Sequence, residues 1–186
     1  MITGLFTALI TPFTPDLKID FEVYKKLIHE QIEAGVNGLV ILGTTGEAPT
    51  IDRQEQDALI EIAVRESSGR IPIIIGTGSY STEQTLLDTK RAKELGADMA
   101  LVVTPYYNKP TSEGIFRHFK EVSEKCHFPI IVYNIQGRCG KNIDTPTLKR
   151  IAHLPNIVGV KEASGSIEQM TEVLDSIVKE LSLIHI

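Results

Sequence analysis

Cysteine is scarce: the chain has only Cys126 and Cys139, and their separation matches no metal-ligand spacing. A disulfide framework or a structural zinc site needs more ligands than that. The expectation is a chain without a metal, folded in a reducing, cytoplasmic setting. No apolar run approaches the ~20 residues that cross a bilayer. The start, Met1-Ile2-Thr3-Gly4-Leu5, lacks the basic segment and long apolar core of a secretory leader. Positive charge is not in excess either. Nineteen Lys and Arg stand against 24 Asp and Glu, a net charge of −5, which gives no electrostatic case for nucleic acid. Also absent is a Gly-x-Gly-x-x-Gly opening the first helix, which weakens a dinucleotide-binding fold. Gly76-Thr77-Gly78 is too short to stand in for a phosphate cradle.

What is present is ordinary in amount and regular in order. Hydrophobic residues make up 42% and charged residues 23% of 186 positions, the balance of a soluble globular domain with room for a real core. Short apolar runs at Leu5–Ile10, Gly38–Leu42, Pro72–Ile75, Met99–Val103, Pro129–Val132 and Ile157–Val160 recur about every 30 residues, the length of a β-α unit. Helices with readable starts lie between them. Asp20 precedes a stripe of Phe21, Tyr24, Leu27 and Ile28 that Gly35 ends. Asp52 with Glu55, Ser81 with Gln84, and Ser166 with Gln169 have capping-box spacing, and Thr145-Pro146 reads as a cap before a first-turn proline. Ile167, Met170, Val173, Leu174 and Ile177 form a last core-facing stripe.

Six strands alternating with six helices predict an α/β fold with a parallel sheet, either doubly wound or a (β/α)8 TIM barrel. A barrel places reactive side chains at strand ends, and that is where they fall here. Only about six of eight β/α units are present, so the chain reads as a partial barrel. Leu181–Ile186 is compatible with a seventh strand or with foreign sequence. His118 and His127 read as solvated helix positions.

The strand ends carry the candidate chemistry. Lys161 ends the run Ile157-Val158-Gly159-Val160. A lysine buried against apolar walls loses its proton more easily and becomes a nucleophile able to form a Schiff base; the plainer reading is a side chain snorkelling into solvent. Gly43-Thr44-Thr45-Gly46-Glu47 offers backbone amides and two hydroxyls to a small anion, or is merely a turn. Tyr106 and Tyr107 lie in a proline-bounded loop, where surface packing and functional phenols are both open readings. Tyr133 at a strand end can relay protons, and Arg138 can clamp a carboxylate in two-pronged fashion or form a surface ion pair.

Taken together, Gly43-Thr44-Thr45-Gly46-Glu47, Thr104-Pro105-Tyr106-Tyr107, Tyr133-Asn134 with Arg138, and Gly159-Val160-Lys161-Glu162-Ala163 resemble the 4-hydroxy-tetrahydrodipicolinate synthases. These form the lysine- and diaminopimelate-pathway branch of the pyruvate-dependent class I aldolase superfamily, which also contains N-acetylneuraminate lyase. The resemblance runs from Gly4 to about Leu181. It implies a (β/α)8 barrel, with residues 1–186 a partial catalytic domain lacking the last two β/α units and the family's C-terminal helical domain. It implies a lyase in which Lys161 forms a Schiff base with pyruvate, with no metal or other cofactor. Thr45 and backbone amides around Gly43 and Gly46 would hold the pyruvate carboxylate. Tyr133, Thr44 and Tyr107 would relay protons, Tyr107 reaching in from a neighbouring subunit of a homotetramer built from dimers. Arg138 would receive the carboxylate of aspartate semialdehyde. The fragment itself is expected to be inactive.

Some positions depart from the family pattern. Ile135-Gln136 replaces Val-Pro and Cys139 replaces Thr, both beside Arg138. Tyr80, Gln84 and Gln56 stand where lysine-inhibited members carry Asn, Glu and His, which implies weak inhibition by lysine. Two alternatives remain: a sugar-acid aldolase such as N-acetylneuraminate lyase, whose members tend to carry Ser for Thr44 and lack Arg138, and an inactive relative serving assembly.

Overall fold

A computed structural model describes residues 2–177 and 182–184. Strands and helices alternate as β1 (Phe6–Ala8), α1 (Phe21–Glu33), β2 (Gly38–Ile41), α2 (Arg53–Ser67), β3 (Ile73–Gly76), α3 (Thr82–Glu94), β4 (Met99–Val103) and α4 (Ser112–Cys126). They continue with β5 (Ile130–Asn134), the single turn α5 (Gln136–Cys139), α6 (Thr145–Ala152), β6 (Ile157–Glu162), α7 (Ile167–Ile177) and β7 (Ser182–Ile184). Each of the six predicted runs contains a strand. The segment Leu181–Ile186 contributes β7, which pairs parallel with β6 through Gly159↔Ser182 and Lys161↔Ile184; Leu181, His185 and Ile186 lie outside the described residues.

The chain divides into two compact units. In the unit made of residues 4–76 and 91–99, β1 pairs parallel with β2 and β2 with β3. All four residues of β2 are buried, as expected for a strand covered on both faces. Gly38 is required by contact: a Cβ there would lie 2.4 Å from the Phe6 ring. Helix α1 begins at Asp20, whose carboxylate accepts from the Val23 N–H at 3.0 Å. It buries Tyr24 and Ile28. The Tyr24 hydroxyl finds the Leu59 carbonyl at 3.3 Å. Asp52 and Glu55 form the predicted reciprocal capping box of α2.

In the other unit, residues 100–186 with 77–90 and 1–3, β4 pairs parallel with β5 and β5 with β6. All five residues of β5 are buried. Gly78 explains part of the glycine-flanked Gly76-Thr77-Gly78: a Cβ there would fall 2.4 Å from the Val103 backbone nitrogen. Close packing, not phosphate binding, accounts for that glycine. The cap of α6 differs from expectation. Asp144, not Thr145, accepts from the Thr147 N–H at 2.8 Å, because an aspartate at the preceding position reaches the same first-turn donor and leaves Thr145 helical. Thr145 turns its hydroxyl to Glu172 at 2.7 Å.

The histidines correct a second expectation. His127 is exposed but lies past the end of α4, in the left-handed region at φ 47°. His118 is not solvated: it is 4% exposed, edge-on to Phe119, with Nδ1 2.9 Å from the Thr82 hydroxyl and Nε2 without a partner. Burial pulls its pKa from 6.5 to about 4. An unfolded chain therefore takes up this proton near pH 6.5 while the folded one resists until about 4. Folding stability is unaffected above that window and declines through it as pH falls, by up to about 3 kcal/mol. Thermal midpoints of the full-length protein between pH 7 and 4 should show this decline. His118→Gln should flatten it, and an equal slope in the variant would exclude His118 as its source.

Candidate active site

The register of β5 against β6 pairs Tyr133 with Lys161 and, one step on, Asn134 with Glu162. Side chains alternate across a strand, so Tyr133 and Lys161 share one face while Asn134 and Glu162 share the other. The Lys161 ammonium lies over the Tyr133 ring, 4.2 Å from its centroid. Burial lowers the Lys161 pKa from 10.5 to about 8. Desolvation disfavours the charged form, and the tyrosine face supplies only a weak counter-attraction. The neutral fraction near pH 8 therefore rises by about two orders of magnitude over an ordinary lysine. Tyr133 is 8% exposed. Burial raises its phenol pKa, and the charge of Arg138 opposes that rise.

Arg138 sits on α5, exposed, between Gly137 and the buried Cys139, whose thiol pKa is raised by burial. Gly140 closes this turn at φ 66° with its N–H on the Gln136 carbonyl. That positive φ strains any side chain here, while the nearby Lys109 chain end, 2.9 Å from where a Cβ would stand, can swing aside. In the loop after β4, Tyr106 packs edge-on against Tyr80 with centroids 5.5 Å apart. Tyr107 is instead 90% exposed at φ 65°, so its ring is not packed within this chain.

The glycine–threonine stretch belongs to the other compact unit. Thr44–Gly46 forms one 3₁₀ turn that Glu47 ends at φ 55°. Thr44 and Thr45 are exposed, Gly43 is half-buried and Gly46 is buried. Gly46 is held tightly: its carbonyl accepts from the Thr11 hydroxyl at 2.7 Å, and a Cβ would lie 3.1 Å from the Leu9 carbonyl.

Of the predicted site residues, the geometry joins Lys161 and Tyr133, places the Arg138 charge near enough to act on the Tyr133 phenol, and leaves Tyr107 facing outward. Asn134 and Glu162 stood in the quoted motifs without a role. Both are buried, and the Asn134 amide donates to both Glu162 oxygens at 3.0 and 3.2 Å. A polar residue directly after each strand-end functional residue is the signal that marks them. Among the described residues no group of three or more His, Cys, Asp or Glu is arranged to hold a metal ion, and no helix is long and apolar enough to cross a membrane.

Strand-borne groups at the ends of parallel β/α units are the mark of a (β/α)8-type protein. The solved dihydrodipicolinate synthase of Acinetobacter baumannii, described as chloride-inhibited and complexed with pyruvate, superposes with a TM-score of 0.97 at 42% identity, covering 100% of this chain and 64% of that one. The enzyme from Thermotoga maritima gives 0.95 at 43% identity over 98% of this chain and 63% of its own. The fold class is thus α/β, a partial (β/α)8 TIM barrel. A profile of the Dihydrodipicolinate synthetase family matches residues 1–185. The 4-hydroxy-tetrahydrodipicolinate synthase of Protochlamydia amoebophila (strain UWE25) is 57% identical over 175 residues, 94% of this chain and 58% of that protein. That of Endomicrobium trichonymphae is 46% identical over 185 residues, 99% and 63% respectively. The chain belongs to the dihydrodipicolinate synthetase family, and spans roughly 60% of the length of these curated relatives.

The pKa of Lys161 is open to direct measurement. Acetylation by trace acetic anhydride, followed lysine by lysine with mass spectrometry, should rise with a midpoint near pH 8 at Lys161. A midpoint at 10 or above would show that burial does not activate this amine.

Proposed function

We propose that Lys161 is the nucleophile of a 4-hydroxy-tetrahydrodipicolinate synthase, which condenses pyruvate with aspartate semialdehyde. The observation that carries this reading is the Lys161–Tyr133 pair: a partly desolvated amine, pKa about 8, against a buried phenol on the neighbouring strand. The neutral amine attacks the pyruvate ketone carbon and water leaves, giving a protonated imine. Loss of a methyl proton produces an enamine, which forms a carbon–carbon bond to the aldehyde carbon while the aldehyde oxygen takes a proton. The amino group of the second substrate then displaces Lys161 from the imine carbon and closes the ring.

Tyr133, Thr44 and Tyr107 serve as the proton relay in this reading, because a phenol with a raised pKa is a poor base alone and needs a hydrogen-bond chain. Thr45, with backbone amides around Gly43 and Gly46, takes the pyruvate carboxylate. Arg138 takes the carboxylate of the semialdehyde. The outward Tyr107 is supported as a residue that acts in a second copy, which fits a homotetramer built from dimers. The covalent lysine supplies the electron sink, so the reaction needs no metal or organic cofactor. A reducing cytoplasm suits the buried thiols of Cys126 and Cys139. Residues 1–186 form part of a catalytic domain in this reading.

Pyruvate and borohydride should leave a stable adduct on Lys161 of the full-length protein, read by peptide mass spectrometry; an adduct on Lys109 or Lys141 instead would overturn the assignment. Arg138→Ala should keep that adduct while kcat/KM for aspartate semialdehyde falls about tenfold to a hundredfold, the loss of a charge-assisted bond. Unchanged semialdehyde kinetics would remove the carboxylate clamp and favour a sugar-acid aldolase.

A further inference from the structure

Behind the Lys161–Tyr133 pair, on the opposite face of the same two strands, lies a closed polar network. Glu162 is 3% exposed and Asn134 fully buried. The Glu162 carboxylate accepts from the Asn134 amide at 3.0 and 3.2 Å, from the Ser164 N–H at 2.7 Å and from the Gln169 amide at 3.2 Å. Among the described residues no cation pairs with it; every partner is a neutral donor. A buried carboxylate without a cation is costly to keep, and here it is kept by three different segments.

The network also reaches the chain that returns from Arg138. The Asn134 amide donates to Asn142 Oδ1 at 2.9 Å, and Asn134 Oδ1 accepts from the Ile143 N–H at 3.0 Å. Gln169 closes the ring: its Oε1 accepts from Asn142 at 2.7 Å and its Nε2 donates to the Ile143 carbonyl at 3.1 Å. Gln169 is available because the Ser166 hydroxyl already caps α7, accepting the Gln169 backbone N–H at 3.2 Å. Four side chains thus join the ends of β5 and β6, the first turn of α7 and residues 142–143. Only Gly140 and Lys141 separate this anchor from the turn that carries Arg138 and Cys139.

We propose that Glu162 is a positioning residue: its carboxylate, with Asn134 as the bridge, sets where the Arg138 turn stands relative to the Lys161 amine. Lys161 itself is held by the β5–β6 register and its own burial, so the proposal separates two functions. The amine should survive loss of the network, while the placement of Arg138 should not. This rests on the reading of Lys161 as the pyruvate nucleophile and Arg138 as the clamp for the second substrate.

The test is Glu162→Gln in the full-length enzyme. Glutamine keeps the volume but replaces one acceptor oxygen by an N–H donor, and both oxygen sites face donors. Borohydride trapping of pyruvate on Lys161 should stay close to wild type. KM for aspartate semialdehyde should rise about tenfold or more, with KM for pyruvate changing by less than about threefold. Asn134→Asp added to Glu162→Gln exchanges donor and acceptor across the pair, and should recover at least about threefold of the loss. If Glu162→Gln fails to fold, Asn142→Ala, which removes the side-chain links of Asn142 to Asn134 and Gln169 and leaves those of the Ile143 backbone, should give a smaller but still selective rise in the semialdehyde KM. Unchanged KM values in a folded variant, or pyruvate and semialdehyde losses of equal size, would overturn the positioning role. Failure of the wild-type enzyme to trap pyruvate on Lys161 would overturn the underlying reading, and with it this inference, and is told apart by occurring without any substitution.

Discussion

The pairing of Tyr133 with Lys161 across parallel strands is the constraint on which the chemistry of this chain depends. A slip of one residue would exchange the two faces. Slipping β6 by one residue would turn Lys161 away from Tyr133 and bring Glu162 to the Tyr133 face. The register is secured on each side of the pair. Val132 meets Val160 within the apolar run, and beyond the pair Asn134 is hydrogen-bonded to Glu162. Apolar packing fixes the strands, and polar pairing fixes the ends.

This division of labour explains the contrast between the two residues that follow the pair and the loops around them. The chain makes its sharpest turns at positions of positive φ, such as Glu47, Tyr107 and Gly140, where local geometry determines which group faces outward. Between those turns, Tyr133 and Lys161 ride on strands and Arg138 on a one-turn helix. Strands hold Tyr133 and Lys161, and short turns set the reach of the side chains around them.

Strand positions, and the place of Lys161 at the end of one, were legible in the sequence because both depend on local pattern: a β-branched apolar run, then a charged residue where the run stops. Helix starts at Asp20 and Asp52 were legible for the same reason. Asp144 was missed because Thr145-Pro146 offered a second acceptable cap one residue later. His118 was misjudged because its solvation is a tertiary matter; nothing in α4 alone shows that Thr82 and Phe119 enclose it. Gln169 matched the capping-box spacing, yet its side chain turns from its own helix to Glu162. Spacing reveals which partner is near in sequence, whereas the choice between near and distant partners is made by the fold. The Asn134–Glu162 network lay beyond sequence reading, since its members are 28 residues apart.

The Lys161 pKa is lowered by the loss of water around the amine. Charge–charge effects weaken as salt shortens the Debye length, to about 8 Å at physiological ionic strength, but the absence of solvent is not screened by ions. The lowered pKa of this lysine is therefore insulated from the ionic composition of its surroundings. Its vulnerability lies elsewhere, in any cavity or packing fault that admits water to the wall behind the amine. Tolerance to salt and intolerance to distant core substitutions are two sides of the same choice.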